Sequence, residues 1–309
     1  MIDTGFLMTK VSFLFILVMI GFTLGRCFTI ELKTISTLLL YLLSPIVVFS
    51  GIAQAKLLPM YSLIPIFFFL FSLTIALIAL KFGRLFWQDN TRHLFALSCS
   101  TGNTGYFGLP VAMAILDETG VALVIFAMLG ITLFEYTVGF YITARGQYDV
   151  RKSIQKLVRL PFFYAFLAGL LINLAQIELP TVITDQLPIF KGSYTMLGMM
   201  MIGFALSSVT RKDVDWKLIG LTTFSKFLLW PCCVILVILL DQHLHQWLDN
   251  IMIQVMLLIS VVPLAANTIA LAVELNVHPQ KASVAVLTST ALGVLIVPVY
   301  LTTLTQWLI

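Results

Sequence analysis

Ten windows of about twenty residues, almost free of charge, recur along the 309-residue chain, and that is the length a helix needs to cross a bilayer. They fall at about 11–28, 34–53, 61–82, 92–116, 119–142, 160–177, 189–209, 217–240, 250–274 and 282–308. Only 10% of residues are charged, against about 25% in soluble domains, and mean hydropathy is +1.03. The pattern predicts an all-α integral membrane protein. The net charge of +4 is spread over short loops, so a nucleic-acid partner is not implied. Cys27, Cys99, Cys232 and Cys233 sit in apolar runs without ligand spacing. They predict neither a disulfide framework nor a metal site. The first run has only Lys10 before it, opposed by Asp3, and no small-residue cleavage site after it. It reads as a retained helix and not as a signal peptide.

Ten spans put both termini on one side of the membrane. That side carries Lys10, Lys56 and Lys191. The other carries Arg26, Lys33, Lys81, Arg84, Arg92, Arg145, Arg151, Lys152, Lys156, Arg159, Arg211, Lys212, Lys217 and Lys281. Cytoplasmic loops collect Lys and Arg, so both termini are expected outside and the loop 143–159 in the cytoplasm. This loop separates residues 1–146 from 147–309, five spans each. An odd number of spans inverts the second half, a symmetry common in secondary transporters. The basic loop reads either as linker and topology signal or as a site for anionic lipid or a partner.

Two windows are poor helices. The fourth reads LFALSCSTGNTGYFGLPVAMAIL (Leu94–Leu116) and the ninth MLLISVVPLAANTIALAVEL (Met256–Leu275). Each holds an Asn-Thr pair near its centre, Asn103-Thr104 and Asn267-Thr268, with Pro110 or Pro263 a few residues away. Proline removes a backbone donor, and unwound backbone survives in a membrane only inside protein or around a wet cavity. Free N–H groups at the new helix starts attract anions. Gly102, Gly105, Pro110 and Pro263 are therefore expected to open the backbone, with Asn103, Asn267, Thr104 and Thr268 meeting a ligand. The alternative is that the glycines serve close packing and the prolines only kink.

Two charges lie within spans. Lys226 is about nine residues past Trp216, roughly 14 Å along a helix. It is either a fixed countercharge for an anion or a lysine that snorkels or pairs with an acid. Glu135, about 10 Å deep by the same rise, carries a proton, neutralises Lys226, or anchors Tyr136. Gly21 and Gly25 form GxxxG, a pattern for helix packing or for dimerisation. Met199–Met201 reads as core or sliding surface. Pro45, Pro231 and Pro298 read as kinks, and His243 with His245 as a polar loop lacking the further ligands a metal needs.

The chain resembles the auxin efflux carrier family, with its PIN-type carriers and bacterial malate or malonate permease-like proteins. The resemblance runs through ILVMIGFTLGR (Ile16–Arg26), LLLYLLSPIVVFSGIA (Leu38–Ala53), LFEYTVGFYI (Leu133–Ile142), LAGLLINL (Leu167–Leu174) and KASVAVLTSTALGVLIVPV (Lys281–Val299). SVVPLAANTIALA (Ser260–Ala272) is the most specific match. The resemblance implies two inverted five-helix repeats, with broken helices 4 and 9 crossing near the midplane. It also implies a scaffold of spans 1, 2, 6 and 7, a transport domain of spans 3–5 and 8–10, elevator-type movement and a homodimer. The family's crossover asparagines, which line a carboxylate site, match Asn103 and Asn267. The chain departs from the family at Thr195-Met196, where a proline is frequent, and in lacking the acidic support cluster of some auxin carriers.

The resulting expectation is a lipid-embedded secondary transporter of small organic anions, mono- or dicarboxylates, malate-like or auxin-like, needing no cofactor. The alternatives are a sodium- or proton-coupled carrier of bile-acid-symporter-like architecture and a membrane sensor. An enzyme would need a nucleophile–base pair or metal cluster within the spans, and His93, His243, His245 and His278 all lie at span ends or in loops. No phosphate-binding loop for an ATP-driven pump occurs in the sequence.

Overall fold

The computed structural model describes residues 4–54, 63–146, 148–149, 151–152, 155, 158–159, 161–209, 214–244 and 246–308. Lys56, Lys156, Arg211, Lys212 and His245 lie outside the described residues. The described chain is helical and without strands. Each apolar window carries helix. These are α1 (Thr4–Cys27), α2 (Leu32–Ala53), α3 (Leu63–Gly83), α4 (Thr91–Ser100), α5 (Thr104–Gly108 continued by Leu109–Ile115) and α6 (Glu118–Phe134 continued to Ala144). After them come α7 (Pro161–Leu174), α8 (Leu187–Ser207), α9 (Trp216–Leu244), α10 (Asn250–Val261), α11 (Asn267–Leu275) and α12 (Pro279–Leu308).

Among the described residues, six helical stretches are long and apolar enough to cross a membrane. The fourth and ninth windows are each broken in two, at Thr101–Asn103 between α4 and α5 and at Val262–Ala266 between α10 and α11. The outer faces are greasy. Phe13, Ile16, Leu63, Ile66, Leu171 and Leu236 are each more than half exposed.

Local widenings accommodate three of the prolines. In an α-helix a proline ring collides with the carbonyl four residues earlier. Here the turns Leu39–Leu43, Thr104–Gly108 and Ser225–Leu229 are π-helical, and each ends two residues before a proline, Pro45, Pro110 and Pro231. A π-turn carries one extra residue, which moves that carbonyl out of the ring's way. Pro110 therefore does not open the backbone. It sits in the first turn of the Leu109–Ile115 segment, past the break, and the opening lies upstream at Thr101–Asn103. Pro263 does lie within its break. Pro298 sits inside the continuous α12.

α1 packs along α8, and α2 packs along α7 and also touches α8. The first contact uses small residues. A side chain at Gly203 would strike the Val18 carbonyl, and one at Gly21 the Met200 backbone. Gly25 faces Ser207. The Gly21/Gly25 pattern is thus spent on packing within the chain, where lost side chains let backbones approach. α3 packs on α4 and α6, and α12 packs on α9, α10 and α11.

At the ends of α4, α9 and α12, Lys281 bridges Asp215 at 3.2 Å and donates to Thr91 at 2.9 Å. The Trp87 indole donates to the same Asp215 carboxylate at 2.9 Å. Lys33 at the start of α2 pairs with Glu274 at the end of α11.

Candidate functional site

The two breaks meet. The backbone N–H of Asn103 donates to the carbonyl of Pro263 at 2.8 Å, and the Thr101 and Thr268 hydroxyls lie 3.5 Å apart. The crossing therefore satisfies backbone and hydroxyl groups that have no water to bond. Ser289 receives the Leu264 N–H at 3.1 Å, so α12 supports the second break.

Asn103 shapes the restart of its helix. Its side-chain oxygen accepts the Tyr106 N–H at 3.2 Å, and its carbonyl accepts Gly108 N–H at 2.8 Å across the wide turn. This is the cap that an asparagine supplies at a helix start. Its amide nitrogen is left with one neighbour, the Met199 sulfur at 3.8 Å. A thioether is a weak acceptor, and Asn103 is only 2% exposed. A strong donor thus stands in a buried site with only a weak acceptor among the described residues.

Asn267 is placed equivalently but used differently. Its oxygen accepts the Tyr106 hydroxyl at 2.7 Å. Its nitrogen donates to Glu135 Oε2 at 3.2 Å and to the Tyr194 hydroxyl at 3.3 Å. The network spans α5, α6, α8 and α11. Gly102, Asn103, Thr104, Gly105, Glu135 and Asn267 line a common cavity with Tyr106, Met128, Thr132, Ala265 and Ala266. Val47 and Val48 of α2 and Tyr194 of α8 close its other side. The cavity measures about 20 Å³, room for a single water molecule.

Thr268 points instead to Thr101 behind the crossing. Lys226 also stands behind the cavity, not in its wall. It is 0% exposed, which rules out snorkelling. Its ammonium lies 3.5 Å from the Trp230 ring centroid and has no hydrogen-bond partner. Among the described residues no acid pairs with it. A Cβ on Gly102 would come within 2.8 Å of Lys226 Nζ, so only glycine lets the charge approach the break. The neighbouring carbonyl of Cys99 accepts from Trp230 at 2.7 Å and from Ser225 at 3.4 Å. Lys226 therefore sits at the carboxyl end of α4, where the helix dipole is negative.

Glu135 heads a π-turn, Glu135–Gly139, and is 2% exposed. It faces Asn267 and not Lys226, so it does not neutralise the lysine in this conformation. Sequence reasoning missed Tyr106 and Tyr194. Tyr106 is three residues past Asn103, a spacing that places both on one side of a turn, and that signal was available. For Tyr194, Val47 and Val48 no sequence signal exists, since only packing brings α2 and α8 to the crossing. His243 lies at the end of α9, and among the described residues no group of three His, Cys, Asp or Glu could hold a metal.

A family model described as membrane transport protein matches residues 6–301. An uncharacterized transporter of Methanocaldococcus jannaschii is 26% identical over 228 residues, covering 69% of this chain and 73% of that protein. The chain belongs to the membrane transport protein family, that of the auxin efflux carriers.

Proposed function

We propose that this member of the membrane transport protein family is a secondary carrier of small organic anions, mono- or dicarboxylates. The family makes it a multi-pass membrane transporter, and the nature of the cargo is inferred from the crossing. One observation carries the inference: the Asn103 amide, buried at 2% exposure, has among the described residues only the Met199 sulfur to donate to. A buried donor without a good acceptor costs about 1–3 kcal/mol, and a carboxylate entering the cavity would remove that cost. Gly102 and Gly105 keep side chains away from the approach, and Thr104 lines it. Asn267 offers a second amide, and Lys226 adds positive potential from behind Gly102. Among the described residues no lysine–carboxylate pair lies in the cavity wall.

A cavity of about 20 Å³ admits no carboxylate, so loading requires its walls to separate. The walls divide between α2 and α8 on one side and α5, α6 and α11 on the other. In this reading spans 1, 2, 6 and 7 hold still, while spans 3–5 and 8–10 carry the site across in an elevator-type movement. The two halves 1–146 and 147–309 are inverted repeats, and the chain works as a homodimer. Both termini lie outside and the loop 143–159 lies in the cytoplasm.

A sodium-coupled carrier is the competing reading, and it needs several buried acids. Glu135 is the only buried carboxyl among the described residues. Thermal-shift screening of the purified protein against mono- and dicarboxylates tests the proposal. Flux in proteoliposomes with and without sodium follows for the best ligand. Stabilisation by a carboxylate together with sodium-independent uptake is expected. Tight binding without any flux would favour a sensor, and sodium-dependent uptake the competing carrier.

A further inference from the structure

Glu135 is the one acid in the cavity wall, and its position beside Asn267 is chemically odd for an anion carrier. Its Oε2 takes the Asn267 amide at 3.2 Å, which is the hydrogen bond that a substrate carboxylate would want. Its Oε1 is sealed from solvent with no partner. No ion pair reaches it among the described residues. The titratable groups around it are the hydroxyls of Tyr106, Tyr136 and Tyr194. The Tyr106 hydroxyl is committed to Asn267, and that of Tyr136 is buried without a hydrogen-bond partner.

We infer that Glu135 is a resident competitor for the substrate carboxylate, leaving Asn267 when the anion arrives and taking up one proton as it does so. The inference rests on the proposed carrier function and adds its coupling. Two carboxylates cannot share one amide in a water-poor cavity while both are ionised, because like charges at close range disfavour the second charge. One proton from the aqueous side of entry bonds to a Glu135 oxygen, and the substrate remains the ionised partner of the two asparagines. Protein and ligand together gain one proton per anion bound. Release reverses both events, and Glu135 returns to Asn267 and recloses the cavity. The geometry explains two facts together: the site is collapsed although it holds a poorly satisfied donor at Asn103, and the only buried acid among the described residues points at the other asparagine.

The test is ligand affinity against pH, using a monocarboxylate that is fully ionised throughout the range. If one proton enters with each anion, wild-type affinity falls by about tenfold per pH unit on the alkaline side. Glu135→Gln keeps an oxygen for the Asn267 amide but cannot titrate, so its affinity is expected to be flat with pH. A second measurement needs no ligand effect on stability: infrared difference spectra on adding the anion, where wild type gains a protonated-carboxyl band that Glu135→Gln lacks. Parallel pH profiles in the two proteins, or no such band, would overturn the competitor role and leave the carrier reading standing. Failure of every carboxylate to bind either protein at any pH would overturn both.

Discussion

The backbone N–H of Asn103 donates to the backbone carbonyl of Pro263 at 2.8 Å, so a main-chain bond joins the two broken helices beside the side-chain contacts of Tyr106 with Asn267 and of Thr101 with Thr268. That bond uses neither side chain, so it persists when the side chains at the crossing are substituted. Substitutions there test the proposed ligand binding with that bond in place.

Asn103→Ala and Asn267→Ala should each weaken carboxylate binding while the crossing survives. A hydrogen bond to a charged group is worth about 1.5–3 kcal/mol, roughly a tenfold to hundredfold loss of affinity. Titration calorimetry on the purified variants measures it. Wild-type affinity in both would mean that the anion binds elsewhere.

Lys226 separates function from stability in the opposite sense. An unpaired lysine at mid-membrane costs about 2.5–3.5 kcal/mol on insertion scales. Lys226→Met should therefore melt no lower than wild type, yet bind and transport carboxylates more weakly. Lys226→Ala should likewise lose more transport than folding. Normal uptake by a well-expressed variant would remove the lysine from the mechanism.

The α1–α8 contact predicts contrasting glycine substitutions. Gly203→Ala drives a methyl group into the Val18 carbonyl and should cost about 1–3 kcal/mol, the usual penalty for overpacking. Gly220→Ala meets nothing within 4 Å and should stabilise by about 0.5–1 kcal/mol through helix propensity. Thermal unfolding in one detergent compares them, and equal shifts would contradict the packing.

The Lys33–Glu274 pair joins α2 to α11, elements on opposite sides of the cavity. If these sides move apart during transport, the pair must break in every cycle. Lys33→Glu should perturb uptake, and adding Glu274→Lys should restore much of it. A double-mutant cycle with a coupling energy near zero would show the pair to be incidental, as exposed ion pairs frequently are.

Asp215 gives a pH-dependent signature outside the membrane. Partial burial by itself would raise its carboxyl, but the Leu218 N–H, the Trp87 indole and Lys281 outweigh that and hold it below the usual carboxylate range. A lowered acid stabilises the fold above its unfolded value, near 3.9 for Asp, and that stability is lost as pH falls through the lower folded value. Asp215→Ala also removes the cap of α9 and should cost about 1 kcal/mol near neutral pH. The pH-dependent part of the difference from wild type should fade under strong acid. A difference unchanged from neutral to acid pH would mean that ionisation plays no part.

How much of this was readable in the residues follows from where each interaction is decided. A helix in an apolar solvent must satisfy its own backbone, so the apolar windows mark the helices locally. The same rule exposes the two faulty windows, because glycine, proline and paired asparagines are the wrong material for a span. The breaks beside Asn103 and Asn267 were therefore legible, and so was the inward position of Lys226. Pro110 misled because its nearness to the break hid the π-turn that accommodates it.

The sequence alone could not assign partners, because they depend on how helices rotate and cross. Two asparagines in matching motifs acquired opposite situations, Asn103 facing a sulfur and Asn267 bound by Glu135, Tyr106 and Tyr194. Lys226 met Trp230 and the gap left by Gly102 instead of an acid. Local chemistry sets which residues are too polar to face lipid. Only packing between helices far apart in the chain decides which of them are left wanting a ligand.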